Sequence, residues 1–303
     1  MKKENSTNST SSSRKSKKGL SAVVRWFWYI FIAGLVGVIL LFVSASFGLL
    51  GEMPDFQHLE NPETNLATEI VTADGKSLGK FYLDENRTPI RFKDLPKHLV
   101  DALIATEDER FYEHSGIDVR GTLRAMVYLG SKGGASTISQ QLAKQLFHKE
   151  KTRGLARYTQ KIKEWVIATR LEKQYTKEEI LAMYFNIYDF NNNADGIRSA
   201  AKIYFDKEPK NLKIEEGAML VGMFKNSALY NPVKNKEGVT NRRNVVLAQM
   251  AKNNYITQEQ KDSLQKLPLK IKFTPESHND GMATYFREYL RSYMKNWVEQ
   301  NPK

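Results

Sequence analysis

Hydrophobic and polar positions change rhythm twice along the chain. Residues 26–51 carry no charged side chain, and about 20 apolar residues in a row are enough for a helix to cross the hydrocarbon of a bilayer. Trp26, Trp28 and Tyr29 stand at the start of this run, where interfacial aromatics belong. Short alternating runs come next: residues 69–72, the turn pair Asp74-Gly75 and residues 78–83 predict a hairpin, with residues 88–92 as a third strand. From Pro96 onward the apolar period is helical. Leu99, Ala102, Leu103 and Ala105 predict a half-buried helix ending at Glu107 and Asp108. Ile138, Leu142 and Leu146 mark a helix over 136–147, and Ile162, Trp165, Val166 and Thr169 one over 157–173. Thr176 and Glu179 form a capping box for a helix reaching Asn186. Further helices are expected over 214–225, 240–253 and 258–267, with loops at Asn191-Asn192-Asn193 and Asn231-Pro232.

Two segments have no settled side. Residues 119–132 mix Arg120 and Arg124 with Leu123, Met126, Val127 and Leu129, which suits a membrane-surface helix, although periodicity alone allows a buried one. Residues 280–303 form an aromatic-rich amphipathic helix whose apolar stripe asks for a cover. The expected organisation is a basic leader over 1–25, a transmembrane helix over 26–51 and a short β-rich lead-in over 52–95. A helical domain over 96–270 and a linker with its amphipathic segment over 271–303 complete it. The fold class is mainly α, within α+β.

Charge changes the picture less than its total suggests. Of the net +12, half lies in the first 25 residues, where seven cations face Glu4 alone in a Ser/Thr/Asn-rich stretch. Such composition predicts a disordered leader rather than a nucleic-acid surface. A basic leader before an apolar span stays in the cytoplasm, so everything after Glu52 is expected outside. A cleaved signal peptide is the competing reading, with Ser44-Ala45-Ser46 as a cleavage-like site, but the apolar run exceeds the ~7–15 residues usual there. With no cysteine in the chain, disulfides, thiolate nucleophiles and cysteine-rich zinc sites are excluded.

Candidate chemistry sits in two stretches, Glu107-Asp108-Glu109-Arg110-Phe111-Tyr112-Glu113-His114 and Gly134-Ala135-Ser136-Thr137-Ile138-Ser139-Gln140-Gln141-Leu142-Ala143-Lys144. Carboxylates at a helix C-terminus meet the negative end of the dipole. A local conflict of that kind points to a site, against the plainer reading of a solvated acidic helix end. Thr137 and Gln140 have capping-box spacing. Thr137, Gln141 and Lys144 fall on one polar stripe, and with the unpaired N–H groups of a first turn they suit a polyanion. An amphipathic helix facing water is the alternative.

These stretches resemble two signatures of the peptidoglycan glycosyltransferases, glycosyltransferase family 51. More follow in the same order: Lys161-Ile162-Lys163-Glu164, Glu179-Ile180-Leu181-Ala182-Met183-Tyr184-Phe185-Asn186, the run opening Gly196-Ile197-Arg198, and Ala228-Leu229-Tyr230-Asn231-Pro232, with Arg242-Arg243 after them. Motifs in one order are specific where a single one is weak. The resemblance spans roughly 69–253. It implies a lysozyme-like helical core and polymerisation of lipid II into glycan strands. Glu107 would be the general base, its pKa raised by a buried helix end. Lys144, Gln141, Thr137 and Ser136 would hold the lipid pyrophosphate, and Glu164 would be a second carboxylate near it, a candidate ligand for a divalent cation (Mg or Mn). Asp108, Phe111, His114, Gln140, Lys161 and Asn186 would lie at the substrate.

Departures from the family pattern carry their own expectations. Gln160 stands where many members have Arg, and Arg157, one turn earlier, is placed to supply the charge. Gln145 replaces an Asn, and Asn191-Asn192 a Gly, which puts the local turn in doubt. Lipid II, the growing strand and membrane lipids are the expected partners, together with a transpeptidase domain or protein and other wall-synthesis proteins, and no nucleic acid. The expected place is a bacterial inner or cytoplasmic membrane, crossed once, with the catalytic domain outside. No Lys-Thr-Gly occurs, so penicillin acylation by that mechanism is excluded here, and the chain reads equally as the N-terminal part of a bifunctional penicillin-binding protein. A lytic wall enzyme and a non-catalytic scaffold are the other classes. A lytic enzyme needs no pyrophosphate holder, which favours transfer.

Overall fold

The computed structural model describes residues 15–49, 68–75, 77–81, 87–128, 134–147, 154, 156–275 and 284–301. It divides into two units, residues 1–53 and 54–303. In the first, helix α1 (Lys15–Ser46) contains a stretch, Ala22–Ala45, long and apolar enough to cross a membrane. It starts and stops earlier than the charge-free run, and it stops where Gly48 turns the chain at φ 75°. There the N–H groups of Phe47, Gly48 and Leu49 close onto the carbonyls of Val43, Ala45 and Ser44.

The second unit opens with the expected hairpin. Strands β1 (Thr68–Val71) and β2 (Ser77–Phe81) pair antiparallel, with Thr68 opposite Phe81. Gly75 at φ 80° makes the turn, and its N–H reaches the Thr72 carbonyl at 2.9 Å. Residues 82 and 83 of the expected second strand lie outside the described residues. The third strand is a correction. Residues 87–91 belong to no strand, since the N–H and C=O of Ile90 bond the side-chain amide of Asn186, both at 2.9 Å, and a 3-10 turn follows at Phe92–Asp94.

Helices build the rest. α2 (Lys97–Glu107) buries Leu99, Leu103 and Ile104. α3 is Val119–Val127; α4 (Ile138–Phe147) lies against α5 (Ala156–Gln174) and α6 (Lys177–Ile187). α7 is Gly196–Phe205, and α8 (Ile214–Met223) packs with α2 and α9 (Lys236–Lys252). α10 (Gln258–Lys266) and α11 (Thr284–Gln300) end the described chain. At the centre the Phe224 ring stacks on Tyr184 at 4.8 Å and meets Phe185, Tyr188 and Phe190. Phe185 and Phe190 are fully buried, and each such side chain contributes about 1.5–3 kcal/mol.

Caps explain where boundaries differ from the pattern. α4 starts at Ile138 because the Thr137 hydroxyl accepts from the Gln140 N–H at 3.2 Å. α9 starts at Lys236, ahead of the expected 240, because Asn235 Oδ1 accepts from the Gly238 N–H at 2.9 Å. The Thr176–Glu179 capping box is complete. α7 was missing from the expected helices, although Ile197, Ala200, Ala201 and Tyr204 are spaced for one and all are buried. The turn before it is made by asparagine: Asn191, Asn192 and Asn193 have φ of 62°, 55° and 59°, a region their short polar side chains tolerate. Asn191 Nδ2 donates to Ser227 Oγ and Asn192 Nδ2 to the Tyr204 hydroxyl. Gly196 follows at φ 79°, where an added Cβ would lie 2.6 Å from the Asn186 carbonyl oxygen.

Candidate active site

Glu107 is the last residue of α2, and the chain behind it folds back under α4. Asp108 is buried and links the two stretches directly: its carboxylate accepts from the Ile138 N–H at 3.1 Å and lies 3.0 Å from His114 Nε2. The first turn of α4 therefore already holds an anion, and it belongs to the protein. Phe111 is fully buried beneath the Lys177 ammonium, 4.2 Å from its ring centre. Lys177 also donates to the His114 carbonyl at 2.7 Å and pairs with Glu172 at 2.5 Å, and Ser139 Oγ donates to that same carboxylate. The loop of residues 108–114 is thus bolted to α4, α5 and α6. Gly116, at φ 87°, has no room for a Cβ, which would meet the Ala168 carbonyl at 2.8 Å. Its own C=O accepts from Thr137 Oγ1 at 2.8 Å and Gln140 Nε2 at 3.2 Å.

The Thr137/Gln141/Lys144 stripe is consequently divided. Thr137 points inward, while Lys144 is exposed and has no ion pair among the described residues. Only Gln141 reaches the acid: its Nε2 donates to Glu107 Oε2 at 3.1 Å, and its Oε1 accepts from the Tyr184 hydroxyl at 2.8 Å. Burial pushes the Tyr184 phenol well above its ordinary pKa, so it stays a donor. On the other side Arg242 Nη2 stands 3.6 Å from Glu107 Oε1, with its Nε held by the Gly222 carbonyl at 3.2 Å. The Glu107 side chain keeps 14% exposure. It opens on a cleft of about 230 Å³ lined also by Glu109, Arg110, Arg124, Lys252 and residues 134–137.

A second polar chain continues from Ser136. Lys161 Nζ donates to Ser136 Oγ at 2.9 Å and to Glu164 Oε2 at 3.1 Å, and Gln160 Nε2 donates to Glu164 Oε1 at 3.2 Å. With both oxygens of Glu164 engaged, and no group of three His, Cys, Asp or Glu ligands among the described residues, this donor set does not make a site for a divalent cation by itself. Arg157 is exposed on the first turn of α5, one turn before buried Gln160. Asn186 lies apart from this group, its amide given to Ile90.

Sequence reasoning left out Arg242, Lys252 and the hydroxyl of Tyr184. Tyr184 stood inside a motif and Arg242 in the Arg242-Arg243 pair, but adjacent residues on a helix face different ways. Arg243 is buried, donating to Asn244 Oδ1 and to the Gln265 carbonyl at 3.1 Å, and burial lowers its pKa.

Residues 74–251 match the family model described as Transglycosylase. The chain belongs to that family, the peptidoglycan glycosyltransferases that its motifs resemble. Among its relatives are the proteins named Penicillin-binding protein 1A of Pseudomonas aeruginosa, 33% identical over 90% of this chain and 33% of that protein, and of Escherichia coli K12, 36% identical over 88% and 32%. That of Vibrio cholerae is 34% identical over 84% of this chain and 31% of its own length. The chain thus spans about a third of the length of the curated relatives it matches. A solved structure, Penicillin-Binding Protein 1A from Haemophilus influenzae, superposes loosely, with a TM-score of 0.41 at 23% identity over 80% of this chain and 25% of that one.

Proposed function

We propose that the chain is a peptidoglycan glycosyltransferase that polymerises lipid II with inversion at the anomeric carbon. The observation that carries this is the placement of Glu107: one carboxylate, oriented by Gln141 and Arg242, facing a cleft whose other wall leads into α4. The 4-hydroxyl oxygen of the acceptor sugar attacks the anomeric carbon of the growing strand, and its proton passes to Glu107. The new C–O bond forms as the bond to the polyprenyl pyrophosphate breaks, and the electron pair leaves with the phosphate oxygen. Charge developing there needs fixed cations and donors rather than an acid; Lys144 and the Ser136–Lys161 pair supply them, with Arg157 at the start of α5. Asp108, Phe111, His114, Thr137 and Gln140 act by holding the two walls in register.

In this reading α1 anchors the chain in the membrane, its basic leader inside and the second unit outside. A transpeptidase, on the same polypeptide or another, and other wall-synthesis proteins are the partners it calls for. Purified protein incubated in turn with lipid II and with isolated preformed wall decides the class: long glycan from lipid II is expected, whereas cleaved muropeptides from the wall would mean a lytic enzyme, and neither product a scaffold.

A further inference from the structure

Helix α3 is attached to the second unit in an unusual way. Of its nine residues only Gly121 is buried, and Val119, Leu123, Met126 and Val127 are 56–74% exposed. A helix this short does not persist by its own hydrogen bonds, and it packs extensively on no other described element. Charge holds it. At its start Asp118 caps the Gly121 N–H at 3.0 Å and pairs with Arg110. In its last turn Arg124 lies 3.7 Å from Glu109 Oε1, which also takes Arg110 at 3.1 Å, while Glu109 Oε2 takes Lys252 Nζ at 3.1 Å. Lys252 is the last residue of α9. One carboxylate, two residues from Glu107, therefore joins the end of α2, the last turn of α3 and the end of α9, and all of them line the same cleft.

We propose that Glu109 and Lys252 are positioning residues for the transfer reaction, clamping α3 beside the mouth of the Glu107 cleft and so setting substrate access. The clamp rests on the glycosyltransferase reading. Lys252 acts through Glu109, and Glu109 through Arg124; neither needs to touch the reacting atoms. Exposed ion pairs are each worth about a two- to fivefold change in an equilibrium constant, and salt weakens them as the screening length falls to ~3 Å at 1 M. A clamp of this kind controls binding rather than chemistry, and it is graded by ionic strength.

The test uses the full chain in detergent, as wild type, Glu109→Gln, Lys252→Gln and Lys252→Arg. Amide hydrogen exchange in α3 should be about two- to fivefold faster in both Gln variants, with α2 and α8 unchanged. KM for lipid II should rise by a similar factor and kcat stay within about twofold, while Lys252→Arg behaves as wild type. Raising NaCl to about 0.5 M should bring wild type toward the Gln variants. Unchanged exchange in α3 of both Gln variants, or a loss in kcat with KM constant, overturns the clamp. A wild-type protein that makes no polymer defeats the glycosyltransferase reading instead, and the exchange measurement still decides the clamp.

Discussion

The Tyr184 hydroxyl donates to Gln141 Oε1, and together with the acceptor-only Glu107 carboxylate on the other side it fixes which way the Gln141 amide points. An amide can be turned end for end. With its oxygen claimed by a buried neutral phenol, only the NH2 group is left to face Glu107. Tyr184→Phe should therefore leave the fold in place but free the amide. The stranded oxygen costs about 1–3 kcal/mol, so a lower melting temperature and a turnover reduced about tenfold, with KM little changed, are expected in calorimetry and steady-state assays. Wild-type turnover in this variant would mean that the amide is oriented by something else.

Glu107→Gln tests the base itself. The substitution keeps shape and hydrogen bonding while removing the basic oxygen, and loss of a general base is worth about 10²–10⁴ in rate. Substrate binding should remain near wild type. Polymer formed at more than a tenth of the normal rate would rule Glu107 out as the base.

Lys144 is exposed on α4. Lys144→Ala should weaken both turnover and the binding of a phosphoglycolipid that mimics the donor, measurable by isothermal titration. Equal affinity for that analogue in variant and wild type would leave the lysine facing water.

Arg157 and Gln160 share one face of α5. If Arg157 supplies the charge that Gln160 lacks, Arg157→Ala should cost about ten- to a hundredfold in activity, as a lost charge-assisted contact does. Adding Gln160→Arg should then recover part of it, since position 160 already reaches Glu164. Full activity in Arg157→Ala would show that the pyrophosphate is balanced without this arginine.

The Glu109 carboxyl is held below its usual range, first by the hydrogen bond from Lys252. A depressed carboxylate pKa contributes stability above the unfolded value and loses it as pH falls through the folded one. Protection of the α3 amides should thus be constant from neutral pH down to the ordinary glutamate range and fade below it. Protection that instead declines on raising the pH above neutrality would contradict this sign.

Local chemistry made much of the fold legible. The α2 stripe, the Thr176–Glu179 box and the Asp74-Gly75 turn all act within a few residues, and each lies where the pattern put it. Ile90 shows the limit: its extended peptide looks like a strand, yet its partner is the side chain of a residue nearly a hundred positions later. The site divides in the same way. Glu107 at a helix end could be read from α2 alone, whereas Arg242 reaches it, and Lys252 reaches Glu109, from α9, which no local period foretells.

Asp108 receives the Ile138 N–H without any intermediary. The gap between the Glu107 helix end and α4 is therefore measured by one side chain and not by the thirty positions of chain that separate them. A change of sequence or length between Asp108 and Ile138 that keeps this one bond also keeps the Glu107 carboxylate at its spacing from the first turn of α4.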